Sequence, residues 1–255
     1  MYDTTKNKKL LILGATSGEI SLVKRAQEFG VKVYVTDNHT DYDLSPAKKY
    51  ADVAWDVSWS DLDTLEQMCR KEGIDGITAG YSEIRVENVI KLCKRLDLPC
   101  YTTMEQLEIT RDKIKFKNEC RLNGVPVVKE YKTIEDVDAY PVIVKPVDRA
   151  GSIGISVAHD KEELKRAYDY AMDMSLCKEV IIEEYIYKAV KFDAYYEIID
   201  GKIELISTDD VINAAENGTK KVVQSGWMLP SIHQDAFKEK IDPCMRRMIA
   251  HMGIK

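Results

Sequence analysis

The feature that most constrains this chain is the rhythm of its first hundred residues, where short unbroken apolar runs alternate with amphipathic stretches. Leu10-Leu11-Ile12-Leu13 has no polar interruption. Such a run suits a strand covered on both faces. Gly14-Ala15-Thr16-Ser17-Gly18-Glu19 follows, then a helical pattern with Leu22, Ala26 and Phe29 on one face, stopped by Gly30. Val31 to Thr36 is a second strand, ending at Asp37. Ser60-x-x-Asp63 reads as a capping box before Leu62, Leu65 and Met68. Ile74 to Ala79 is a further strand, and Val86, Val89, Ile90, Cys93 and Leu96 mark another helix. Repeated strand–helix units of this length predict a parallel, doubly wound sheet.

The rhythm changes near Thr103. Two helical segments are expected in succession, about 103–109 and 111–123, closed by Gly124. New strands begin at Val127, and Pro141-Val142-Ile143-Val144-Lys145-Pro146 is a short strand bounded by prolines. Asp160, with Glu163 three residues on, opens a helix carrying Leu164, Ala167, Tyr168 and Ala171. Val180 to Ile186 is a strand and turn, and residues 192–207 predict a hairpin turning at Asp200-Gly201. A final helix is expected from Gln234 to His251.

Composition narrows the classes of function. The net charge of -6 and the lack of a long Lys/Arg run argue against duplex nucleic acid. No apolar stretch approaches the roughly 20 residues of a membrane span, and the polar N-terminus does not resemble a signal peptide. The six cysteines are scattered without a C-x-x-C pair. They read as buried, reduced thiols of a soluble, cytoplasmic protein. His39, His159, His233 and His251 have no metal spacing, and Trp55, Trp59 and Trp227 read as core or interface.

The chemistry gathers after Lys145. A strand delivers this lysine, and Asp148-Arg149-Ala150-Gly151-Ser152-Ile153-Gly154 supplies small residues behind it. Glycines let a backbone approach an anion, and exposed N–H groups with the Ser152 hydroxyl can cradle phosphate oxygens. A flexible hairpin with an exposed lysine has the same composition. Three further elements fall in order around the loop: Asp112-Lys113, Gly124-Val125-Pro126, and Glu183-Glu184-Tyr185-Ile186.

With the Pro141–Pro146 strand, these elements resemble the ATP-grasp superfamily, in its carbamoyl phosphate synthetase and biotin carboxylase branch. The resemblance implies an α/β chain with a Rossmann-like pre-ATP-grasp domain and an incomplete ATP-grasp α+β region. The expected division is 1–101 for the first domain, 102–126 for a helical linker, 127–205 for the lid subdomain and 206–255 for the opening of the C-terminal subdomain. Lys113 and Lys145 would reach nucleotide phosphates, and Gly151, Ser152 and Gly154 would close over them. Glu183 would lie by the adenine. Backbone groups of Glu184 and Ile186, flanking Tyr185, would read its edge. Lys191 stands near the position where many members place a ribose-binding glutamate. The activity implied is ligation, in which ATP activates a carboxylate as an acyl phosphate for attack by an amine or other nucleophile. No catalytic side chain is singled out. Magnesium is expected for the family, but its carboxylate ligands would lie beyond Lys255. These residues alone are therefore expected to bind nucleotide weakly without turnover. Small-molecule substrates and a homodimer are the implied partners, with neither nucleic acid nor membrane.

Other readings stay open. Gly14 to Glu19 with Asp37 is either a strand-to-helix turn or a dinucleotide fingerprint whose acid binds a ribose. The latter would make the protein a nicotinamide-dependent oxidoreductase. A nucleotide-binding module without catalysis is a third reading. Ser82-Glu83 either touches substrate or caps the next helix. Asp209, Asp210 and Glu216 read as solvated turn residues. Residues 148–155 are expected to be mobile without nucleotide, and Met245, Met248, Ile249 and Met252 to lie exposed on the final helix.

Overall fold

A computed structural model describes residues 4–80, 82–149, 151–186, 190–213 and 224–254, and the chain divides into two compact units, 1–107 and 108–255. The boundary falls inside the segment read as a linker.

The first unit is the doubly wound sheet that the sequence predicts. Its strands are β1 (Lys9–Leu13), β2 (Lys32–Thr36), β3 (Val53–Trp55) and β4 (Gly76–Thr78), all parallel in the order β3-β2-β1-β4. The connections include α1 (Glu19–Glu28) and α2 (Leu62–Glu72), and α3 (Glu83–Leu96) follows β4. The alternation of β1 explains its unbroken apolar run. Ile12 packs with Val23, Ala26, Val33 and Val35 on the α1 side. Leu11 and Leu13 pack with Tyr34, Leu65, Cys69, Val89 and Leu92 on the side of α2 and α3. Both faces are dry, so no polar residue is tolerated in the middle of the strand. The thiols of Cys69 and Cys93 are pushed up to about 12 by burial. One capping expectation changes: Asp61, not Ser60, caps α2, accepting from the Thr64 N–H at 3.2 Å. The Ser58 and Ser60 hydroxyls bond each other instead.

Helix α4 (Met104–Arg111) leads to the second unit. There, α5 (Lys113–Leu122) precedes β5 (Glu130–Tyr131), β6 (Val142–Pro146), β7 (Ser156–Ala158), α6 (Lys161–Met174) and β8 (Val180–Glu184). The strands form an antiparallel sheet in the order β5-β8-β6-β7. Val142, Val144 and Ile182 pack on Leu164, Ala167 and Ala171 of α6, whose start is capped by Asp160 accepting from Glu163 N–H. Side chains alternate across a strand. The opposite face therefore carries Lys145 and Glu183. Cys177, between α6 and β8, is exposed, contrary to the expected burial.

A second sheet joins β9 (Lys191–Ile199), β10 (Lys202–Asn213) and β11 (Gln224–Met228), antiparallel in the order β11-β10-β9. Asp200 and Gly201, both at positive φ, make the tight turn that the sequence predicts. The acidic pair after it is a correction. Asp209 and Asp210 lie in β10 and are buried. Asp210 accepts from the Ser231 hydroxyl at 2.6 Å and from Ile232 N–H. Polar residues inside a strand look like a turn until their tertiary donors are seen. Glu216 lies outside the described residues.

The final helix is two helices, α7 (Gln234–Lys240) and α8 (Asp242–His251), with a break at Ile241. Pro243 sits in the first turn of α8, where its missing N–H does no harm. Met248 and Ile249 are buried, contrary to the expected exposure, and the Met248 sulfur lies 3.7 Å from that of Cys120 on α5.

Candidate nucleotide site

Two glycine-bearing loops were candidates, and the structure separates them. In the first unit, Gly14 has φ +104, and a Cβ built there would lie 1.8 Å from Arg85 Nη1. The guanidinium fills the space beside the loop. It donates to Leu13 O at 3.2 Å and to Glu19 Oε1 at 3.1 Å. Glu19 also accepts from the Thr16 N–H and hydroxyl. Asp37, the candidate ribose ligand, accepts from the Ser45 hydroxyl at 2.8 Å and from His39 N–H. Buried Lys48 donates to the carbonyls of Asp37 and His39 and pairs with Asp56. These groups serve internal bonding, so the strand-to-helix-turn reading fits this loop and the oxidoreductase reading is not supported. Ser82 takes the N-cap position of α3 without a side-chain cap bond.

In the second unit, four elements converge on the face of the β5–β8–β6–β7 sheet opposite α6. Asp112 caps α5 by accepting from Ile114 and Lys115 N–H. Lys113, one residue on, donates to the carbonyls of Val147 and Arg149 at 2.8 and 2.7 Å. It therefore holds the start of the glycine loop. Asp148 fastens the same stretch from the other side, accepting from Leu176 and Cys177 N–H and the Ser175 hydroxyl. Arg149 Nε donates to Met174 O. Beyond this anchored base, Gly151 and Ser152 are exposed at φ of 65° and 60°. An exposed turn of this kind leaves backbone N–H groups accessible to an anion. Gly154 is buried at φ +74, and a Cβ there would lie 2.6 Å from Pro146 Cγ and 2.8 Å from Met174 Cβ.

Lys145 on β6 reaches Glu183 Oε2 at 2.6 Å. Glu183 is almost fully buried, and its other oxygen pairs with Lys117. Lys117 also reaches Glu130 on β5 at 2.8 Å, and Glu130 pairs in turn with Arg121. The lysines sit where burial disfavours charge. Lys145 is pushed down to about 8 by desolvation, with the Lys117 and Lys113 ammoniums adding to it. Lys117 is likewise pushed down to about 8, chiefly by desolvation and then by Arg121. Lys117, Arg121 and Glu130 were not among the candidates. Their signal was available: Lys113, Lys117 and Arg121 recur every fourth residue, one face of a helix.

The remaining candidates flank this cluster. Glu184 N–H donates to Lys129 O, and Tyr185 N–H donates to Pro141 O. Exposed Ile186 follows at the end of the strand, next to residues 187–189, which lie outside the described ones. Lys191 begins β9, with its ammonium 3.7 Å from Asp193. Among the described residues, no group of three or more His, Cys, Asp or Glu side chains is placed to hold a metal ion. Nor is any described helix long and apolar enough to cross a membrane.

Comparison with known proteins places similar chains beside this one. A family model described as the D-ala D-ala ligase C-terminus matches residues 94–215. The chain is 30% identical over 192 residues to a formate-dependent phosphoribosylglycinamide formyltransferase of Sulfolobus acidocaldarius, covering 70% of this chain and 47% of that protein. It is 26% identical over 209 residues to a carbamoyl phosphate synthase large chain of Caldanaerobacter subterraneus subsp. tengcongensis, covering 73% of this chain and 19% of that one. It thus spans less than half the length of either relative. A biotin carboxylase domain from the Hydrogenobacter thermophilus 2-oxoglutarate carboxylase, solved as a dimer with MgADP, ADP and bicarbonate, superposes with a TM-score of 0.77. That match has 18% identity and covers 94% of this chain and 58% of the other. Fold, ordered motifs and relatives point the same way: the chain is similar to ATP-grasp enzymes over the greater part of its length.

Proposed function

We propose that this chain is the nucleotide-binding portion of an ATP-dependent ligase. The ligase would activate a carboxylate as an acyl phosphate for attack by an amine or other nucleophile. The observation that carries the reading is the convergence of Lys145 with the Lys113-anchored glycine loop on one side of a single sheet. Lys145 supplies charge to phosphate oxygens, and the left-handed Gly151–Ser152 stretch supplies N–H groups. The strand end at Glu184–Ile186 would offer backbone groups to adenine, and Lys191 would serve the ribose. Magnesium would supply charge neutralisation to the phosphates, but the described residues contain no ligand set for it. A homodimer is part of the proposal, prompted by the dimeric biotin carboxylase domain.

The test is calorimetric binding of ADP and ATP to the purified chain. Each charge-assisted hydrogen bond is worth about 1.5–3 kcal/mol, so Lys145→Ala is expected to weaken ADP by about ten- to a hundredfold. Unchanged affinity removes Lys145 from the site. Phosphate release with magnesium and a panel of amino and hydroxy acids separates binding from turnover. For these 255 residues alone, binding without turnover is the expected result. Magnesium-dependent turnover would show that they hold the metal.

A further inference from the structure

Five charged side chains form an unbroken chain that ends on the strand leading into the glycine loop: Lys145, Glu183, Lys117, Glu130 and Arg121. They come from α5 and three strands of one sheet, and Glu183 and Lys117 at the centre are largely withdrawn from water. A carboxylate in that position requires a cation at all times, because an uncompensated buried charge is strongly unfavourable. Three cations face two carboxylates. Lys117 and Arg121 suffice to balance Glu183 and Glu130, so Lys145 is the cation the cluster can release. Lys145 is also the member beside the glycine loop, on the strand that leads into it. Lys117, by contrast, is pinned between Glu183 and Glu130.

We propose that Lys117 is a positioning residue that keeps Glu183 compensated, so that Lys145 can leave the carboxylate for the polyphosphate of a bound nucleotide. The inference rests on the nucleotide-binding reading above. Without Lys117, Lys145 is the only described cation bonded to Glu183, and a phosphate would have to compete with a buried carboxylate for it. Lys117 would then govern nucleotide affinity without touching nucleotide. The depressed proton affinity of both lysines agrees with cations held at a cost and available to a stronger anion.

The experiment is a double-mutant cycle on the full chain, read as ADP affinity by calorimetry, with unfolding temperature as a control. Lys117→Met is expected to raise Kd about tenfold, equivalent to about 1.4 kcal/mol. Lys117→Arg keeps the charge and is expected to stay within about threefold of wild type. The decisive variant is Lys117→Met with Glu183→Gln. Once Glu183 is neutral, Lys117 has nothing to compensate, so the double variant is expected within about threefold of Glu183→Gln alone. This pair has lost both central charges, so it keeps the test open if Lys117→Met alone does not fold. A role confined to stability gives additive losses and no rescue, and that result overturns the proposal. So does a folded Lys117→Met with wild-type affinity. If wild type binds ADP and Lys145→Ala weakens it while Lys117→Met does not, only this inference fails. If wild type binds no ADP, the nucleotide reading fails and this one with it.

Discussion

The loops at Gly14–Glu19 and Asp148–Gly154 look alike as text, since each follows a buried strand and carries two glycines. Their surroundings make them opposites. Arg85 and Glu19 fill the first loop and satisfy one another, so its glycine serves a close approach by the protein's own guanidinium. The second is fastened at its base by Lys113, Asp148 and Arg149, while Gly151 and Ser152 face outward beside a releasable lysine. A glycine-rich turn says that something comes close to the backbone. Which atom comes close decides between a structural turn and a ligand site.

The sharpest way to break this comparison is to place a Cβ in each loop. At Gly154 it would meet the rigid Pro146 ring and the Met174 Cβ at positive φ. Gly154→Val is expected to cost about 4 kcal/mol, from left-handed strain plus overpacking. At Gly14 the neighbour is the far end of Arg85, which can swing aside, so Gly14→Ala is expected to cost about 2 kcal/mol. Denaturant unfolding followed by amide exchange over each unit checks both. Loss of ADP affinity in Gly14→Ala would contradict the assignment of that loop to structure.

Arg85→Met comes next. It leaves Glu19 buried without its cation, at a cost of about 3 kcal/mol. Adding Glu19→Gln is expected to recover most of that loss, and neither variant is expected to bind NAD. NAD binding measured in the wild-type chain would reverse the assignment of this loop.

The smallest effect is one of pH. A lysine pushed down to about 8 loses its charge above that pH, so ADP affinity is expected to fall about tenfold from pH 8 to pH 9.5. Binding near pH 8 is expected to take up protons, which calorimetry in buffers of different ionisation enthalpy detects. Stability moves the other way. The unfolded lysine titrates near 10.5, so between about 8 and 10.5 the unfolded chain binds more protons and this group makes stability rise with pH. Affinity that is flat across this range would show that Lys145 is not the phosphate cation.

Much of the molecule was legible in the amino-acid order. The doubly wound sheet followed from apolar runs, because a strand buried on both faces excludes polar residues regardless of what else the chain does. The Asp200-Gly201 turn and the Asp112 and Asp160 caps followed from local chemistry, since each is a bond between residues close in sequence. Lys145 and Glu183 could be named from ordered motifs, but not joined, because 38 positions separate them and only the β6–β8 pairing brings them together. Lys117 shows the boundary: its spacing put it on the helix face of Lys113, but the carboxylates it serves lie on two strands, β5 and β8. Asp209 and Asp210 crossed that boundary in the wrong direction, read as solvated because the partners of Asp210, Ser231 and Ile232, are distant in sequence. Sequence alone determined which segments bury their faces and where the backbone turns, because those are local consequences of side-chain polarity and φ. The tertiary structure decided which charges meet, because a buried charge is tolerated only where the fold delivers its counter-charge.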